Sequence, residues 1–188
     1  MQIKFLLIII LFISLSSCTN NQTIPKPKAQ LSLEYPKQIY EKTDFKYLSF
    51  KKSNQAKVEK INSQKFNLNY SKMKAKIYLT YYKVNNNLDS LLRDAEKFTY
   101  EHTIKADEII SHYFINDNQK VYGTINLITG NAASQIQFHA TDSTDNFING
   151  SLYFFAQPNY DSIYPAVKYL QKDVQVLLES LKWKNPKK

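Results

Sequence analysis

The sequence has 188 residues, 43% hydrophobic and 14% aromatic, enough for one domain with a sizeable core. Its formal charge of +9 rests on scattered lysines with Arg93 the only arginine, unlike the clustered, arginine-using face of a nucleic-acid binder, so no nucleic acid is expected as a partner. Three glycines leave no Gly-rich phosphate loop, and a single cysteine cannot form a disulfide within the chain.

Residues 1–17 have the layout of a signal peptide. Lys4 supplies the positive start, Phe5 to Leu15 is almost unbroken apolar sequence, and small residues follow. The apolar run is shorter than the about 20 residues that a spanning helix needs. Leu15-Ser16-Ser17-Cys18 has the pattern of a bacterial lipobox. In that chemistry the Cys18 sulfur takes a diacylglycerol, the peptide is cut before it, and the new amino group is acylated, palmitate being an expected acyl group. More than one chain makes such anchoring stable. Thr19 follows the cysteine where an Asp would favour inner-membrane retention, so the expected location is the outer membrane, facing the periplasm. Residues 18–30 form a polar tether stiffened at Pro25 and Pro27. One domain is expected over 31–184, with a basic tail at 185–188.

Within the domain, LSLEY (31–35), FKYLSF (45–50) and KFNLNY (65–70) read as short or edge strands. AKIYLTYYK (75–83) alternates with period two: Ala75, Ile77, Leu79 and Tyr81 point one way, Lys76, Tyr78 and Thr80 the other. From Asn87, a plausible N-cap, Leu88, Leu91, Leu92, Ala95 and Phe98 form a helical stripe. IISHYFI (109–115), KVYGTINLI (120–128), SQIQFHAT (134–141) and SLYFFA (151–156) are further strands, with a hairpin turn at Asn116-Asp117-Asn118. A long helix runs from a cap at Asp161 to near Lys182, with Ile163, Val167, Leu170, Val174, Leu177 and Leu181 on one face and Pro165 in its first turns. Short links between the late strands predict an antiparallel sheet. The expected fold is α+β: a mostly antiparallel sheet covered by helices, with a long C-terminal helix. The element order is similar to the PsbP/Mog1 kind of sandwich.

No HxH, HExxH or G-x-S-x-G spacing occurs, and His102, His112 and His139 are dispersed, so neither metal nor cofactor nor catalytic residue is expected. Two polar stretches stand out. One is HTIKADE, with His102, Lys105 and Asp107. The other runs from Thr129 to Thr144, with Asn131, Ser134, Gln137 and Asp142. Gly130-Asn131 reads as a turn, Gln135, Gln137, His139 and Thr141 as one polar sheet face, and Asp142-Ser143-Thr144 as an Asx-type turn. Gathering His102, Asp107, Ser134 and Asp142 into one place would make a hydrolase-like site. Leaving them on turns and a solvated sheet face gives them no role beyond the fold. Between the two lies a recognition surface for another protein or a glycan.

These stretches also carry a likeness. The lipobox, NNNLDSL, HTIKAD, VYGTINLITGNAASQIQFHATDST and GSLYFFAQPNYDSIYP together resemble the gliding motility lipoprotein GldD family, in order and over nearly all of the mature chain. The resemblance implies an envelope lipoprotein needed for surface gliding in bacteria with a type IX secretion system. Its members are not known as enzymes. The function expected is therefore a non-enzymatic accessory acting through protein–protein contacts with other gliding or secretion proteins of the envelope. The alternative is a periplasmic hydrolase or a binder of a small ligand or glycan.

Overall fold

The computed structural model describes residues 34–101, 103–155 and 159–184. The signal peptide, Cys18, the tether, the basic tail and His102 lie outside the described residues.

Among the described residues, two antiparallel sheets and two α-helices make the fold. The larger sheet has seven strands: β3 (Lys57–Lys60), β4 (Lys65–Tyr70), β5 (Ala75–Lys83), β6 (Ala106–Asn116), β7 (Val121–Gly130), β8 (Ser134–Thr141) and β9 (Asn146–Phe154). Their spatial order is β3-β4-β5-β9-β8-β7-β6, and every neighbouring pair is antiparallel. β6 to β9 follow one another as a meander; β5 then closes against β9 by a long-range pairing. The smaller sheet has β2 (Leu48–Ser53) between β1 (Tyr40–Asp44) and β10 (Lys182–Trp183). Helix α1 (Leu88–Tyr100) connects β5 to β6 by way of a 3-10 turn, Thr103–Lys105, and α2 (Tyr160–Glu179) follows β9.

Successive side chains on a strand point to opposite faces, so the two faces of the large sheet are chemically distinct. One face carries Ile77, Leu79, Tyr81, Phe138, Ala140, Ile148 and Leu152, all buried. It packs against Leu48 and Phe50 of the small sheet and against Val167, Leu170, Val174, Leu177 and Leu178 of α2, making one continuous core. Gly150 sits on this face opposite Phe138, and a Cβ there would stand 2.2 Å from the Phe138 ring. The missing side chain is the space that the ring fills.

The other face is partly covered by α1. Leu88, Leu91, Leu92 and Ala95 pack on Phe147 and Val84 in a small satellite cluster. Thr99, not Phe98, continues this buried stripe: its hydroxyl donates to the Ala95 carbonyl at 3.2 Å and accepts from Asn126 Nδ2 at 3.1 Å. Phe98 projects outward, 51% exposed.

Several elements depart from the sequence reading. Of LSLEY, Glu34 and Tyr35 are described and belong to no strand. In FKYLSF only Leu48 onward is strand, because Phe45 to Tyr47 make the β1–β2 turn, where the Phe45 N–H donates to the Leu48 carbonyl at 2.9 Å. β1 and β3, both polar, were not expected. β9 begins at Asn146, five residues before SLYFFA, and ends at Phe154. Asn159 occupies the N-cap position of α2, and Asp161 lies in its first turn. The helix stops at Glu179, short of Lys182, which instead pairs with β2. Asn87 holds the N-cap position of α1, but its side chain accepts from the Asn85 N–H at 2.8 Å rather than from the helix.

Candidate functional site

The residues singled out in the two polar stretches separate into three places. Lys105 ends the 3-10 turn and Asp107 opens β6; both are exposed. Across from them, Gly130 has φ +87, and a Cβ there would stand 2.7 Å from the Asp107 backbone nitrogen. Only glycine fits that turn without strain. Asn131 follows it, and its Oδ1 accepts the Tyr160 N–H at 3.1 Å. A loop side chain thus satisfies one of the orphan donors at the start of α2. Ser134 is fully buried, its hydroxyl shared between the carbonyls of Leu152 at 2.9 Å and Ile136 at 3.1 Å. That arrangement lies where the β8–β9 register shifts.

Asp142 stands at the opposite end of β8 from Ser134, eight residues away, which is about 27 Å of strand. Its Oδ1 accepts the N–H groups of Thr144, Asp145 and Asn146 at 2.8 to 3.0 Å, and Oδ2 accepts from Asn146 Nδ2 at 2.6 Å. Partial burial, which would raise its pKa, is outweighed by these hydrogen bonds, and the carboxyl is held below the usual carboxylate range. Asn146 passes the network on, accepting from the Tyr81 hydroxyl at 2.7 Å. The carboxylate holds the β8–β9 turn together. Asp107, Ser134 and Asp142 therefore do not converge. Among the described residues no group of three His, Cys, Asp or Glu side chains could hold a metal ion.

Gln137 lies in the third place, the floor of a groove of ≈690 Å³ on the α1 face of the sheet. The registers of β5, β9 and β8 set Tyr78, Ser151 and Gln137 in one row across the strands, and Thr80, Asn149 and His139 in the next. The Ser151 hydroxyl donates to Gln137 Oε1 at 3.2 Å. Aromatic rings stand around this polar floor. Tyr78 meets Tyr153 edge to face, with centroids 5.6 Å apart and planes at 82°. Tyr82 approaches Phe147 in the same manner at 6.2 Å. Phe98 and Glu101 line the groove from the end of α1, and Phe155 from just beyond β9. Among the described residues Glu101 is the one charged residue of the lining. Lys76 reaches toward the rings of Tyr78 and Phe155, at 5.9 and 5.7 Å, but its ammonium is paired with Glu59 at 2.9 Å.

His139 continues the row beneath α1. Its ring lies parallel to Phe147 with centroids 5.8 Å apart. Burial pushes its pKa down, against the pull of Glu96. A buried, stacked, neutral imidazole is a packing group here.

The sequence reading found the polar floor, through Gln137, but not the rings that frame it. The signal was present: Tyr78 and Thr80 alternate with the core residues of β5, and Tyr153 does the same on β9. Phe98 was hidden because it fits a helical stripe as well as Thr99 does.

Among the described residues no helix is long and apolar enough to cross a membrane. Among curated proteins, none matches the chain. The family described as gliding motility lipoprotein GldD matches residues 20–183, which includes both sheets, both helices and the groove. The chain belongs to the gliding motility lipoprotein GldD family, and so is a membrane-anchored lipoprotein of the cell envelope associated with gliding.

Proposed function

We propose that this lipoprotein is a non-enzymatic accessory of the gliding and type IX secretion machinery, held by a lipidated Cys18 at the outer membrane, facing the periplasm. It works by contact with other envelope proteins of that machinery. The observation that carries this reading is the outer edge of the large sheet. The sheet ends in β6, eleven residues long, with Tyr113 83% and Ile115 70% exposed. The opposite edge is β3, four residues reading Lys-Val-Glu-Lys. Edges are normally kept short or charged because an open strand invites another to pair with it. β3 follows that rule; β6 follows it only at its start, where Asp107, Glu108 and a register shift lie, and not from Ile109 onward. A long strand whose outer edge is open among the described residues, and whose second half is mostly apolar, suits a protein partner that adds an extended segment to the sheet, with ladder hydrogen bonds for affinity and ring contacts for selectivity. Lys105 and Asp107 lie at its start.

The test replaces both Tyr113 and Ile115 with lysine, the residue that blunts natural edges. The expected result is loss of gliding and loss of crosslinks from a photoreactive residue at position 110 to gliding or secretion proteins. Thermal stability should stay within about 4 °C, since no buried contact is removed. Cells that glide normally with this variant would overturn the reading. Cys18→Ser should independently release the protein from the membrane fraction; retention there would overturn the lipid anchor.

A further inference from the structure

We propose that the groove between α1 and strands β5 and β9 binds an uncharged oligosaccharide. The argument rests on what each class of ligand would meet there. An acyl chain would cover the part-exposed Thr80, Asn149 and Ser151 without replacing their hydrogen bonds to water, at about 1–3 kcal/mol for each group left unpaired. Among the described residues of the lining an anionic ligand would meet Glu101 and no lysine, and Lys76 nearby is paired with Glu59, although the chain carries 25 basic residues. An extended peptide binds at sheet edges, where backbone groups are open; the groove lies on a face whose strands already pair on both sides.

A sugar meets none of these objections. Its hydroxyls both donate and accept, as do the amides and hydroxyls of the floor. Its C–H faces are the weakly positive, apolar surface that packs on the electron-rich face of an aromatic ring. Phe98 at 51% and Phe155 at 56% exposure line the groove together with Tyr78 of the sheet. The volume falls within the about 300–1,000 Å³ of small-ligand sites. This site is separate from the β6 edge, so each can fail without the other.

The test is calorimetric titration of the full lipidated protein, in a detergent without a sugar headgroup, with cellohexaose, maltohexaose and chitohexaose. At least one should bind with Kd below about 1 mM. Affinity should change less than twofold between about 50 and 500 mM NaCl, because no ion pair forms. Phe98→Ser and Tyr78→Ala should each weaken binding about tenfold, while Tyr78→Phe, which keeps the ring, stays within about twofold. The Tyr113 and Ile115 lysine variant should bind the sugar as the parent does. The proposal is overturned if none of the three sugars binds at about 10 mM. It is equally overturned if Phe98→Ser and Tyr78→Ala, folded by circular dichroism, bind as tightly as the parent, or if an acidic oligogalacturonate binds more tightly than all three.

Discussion

The two faces of the seven-stranded sheet are built from the same strands, one residue out of step. On β5, Ile77 and Leu79 enter the core while Tyr78 and Thr80 face the groove; on β9, Leu152 enters the core while Ser151 and Tyr153 do not. The core face is roofed by α2 and the small sheet over most of its breadth. Among the described residues the other face is roofed by α1 alone, and the part that α1 leaves open is where the rings and amides collect. The pleat therefore separates stability from recognition residue by residue, within one strand. Substitutions on the two faces should divide in the same way.

The largest effect belongs to the core face. Leu170 of α2 is completely buried against the sheet. Leu170→Ala should cost about 2–5 kcal/mol, the range for deleting a buried leucine and leaving a cavity. Denaturant titration would read this as a lower midpoint with an unchanged slope. A cost under about 1 kcal/mol would mean that the roof over this face is loosely packed.

Two aspartates sharpen the comparison because their pKa values move in opposite directions. Asp142, at the end of the sheet, is held below the usual carboxylate range despite its partial burial. Asp173 of α2 faces the other way, under the small sheet. Its Oδ1 accepts from Gln38 Nε2 at 2.8 Å and from the Tyr40 hydroxyl at 2.9 Å, and the buried Tyr70 hydroxyl also favours the carboxylate. Burial raises its pKa, against those hydrogen bonds. A lowered carboxyl pKa contributes stability that is present above the unfolded value and lost as pH falls through the folded one. A raised one contributes stability that is present below the unfolded value and lost as pH rises through the folded one. Asp142→Asn should thus cost about 1–3 kcal/mol at pH 7, since the new amide would face the donating Nδ2 of Asn146. Its deficit should shrink as the pH falls below about 4. Asp173→Asn should be no less stable than the parent at pH 7 and lose that standing as the parent's own carboxyl protonates. Stability measured from pH 7 down to 3 for both variants would sink this account if the two curves moved in the same direction.

Periodicity made the meander legible. KVYGTINLI and SQIQFHAT alternate, and both form strands, the first from Val121 onward. The alternation marked the strands but not the exposure: in β8 the polar alternates Gln135, Gln137, His139 and Thr141 are buried as well, so the solvated face expected there is absent. β1 (YEKTD) and β3 (KVEK) carry no such signal. They are strands because β2 and β4 offer a backbone ladder, which a polar sequence can use as well as an apolar one. The pairing of β5 with β9 was not legible either: 63 residues separate Lys83 from Asn146 in sequence, yet they are register partners. At the candidate site the turns were readable, since Asp142 and Gly130 act locally. What those polar residues do was not. Asn131 and Ser134 looked like a surface but are spent on internal hydrogen bonds, one on the helix start and one within the sheet. Only contacts made across the fold distinguish a polar group that holds the structure from one that faces outward.

The smallest stability effect should come from the groove. Tyr78 is 38% exposed, and its best contact is the edge-to-face approach to Tyr153. Such a pair contributes about 0.5–1.5 kcal/mol where it is buried, and less where water reaches the ring. Tyr78→Ala should therefore cost under about 1 kcal/mol and lower Tm by no more than about 4 °C. Ile77, its neighbour on β5, has no exposure at all, and Ile77→Ala should cost several times more. The ratio between these two adjacent substitutions measures how completely the pleat divides the two tasks. If Tyr78→Ala proved as damaging as Ile77→Ala, the rings of the groove would be part of the core, and the face they line would have no spare surface for a ligand.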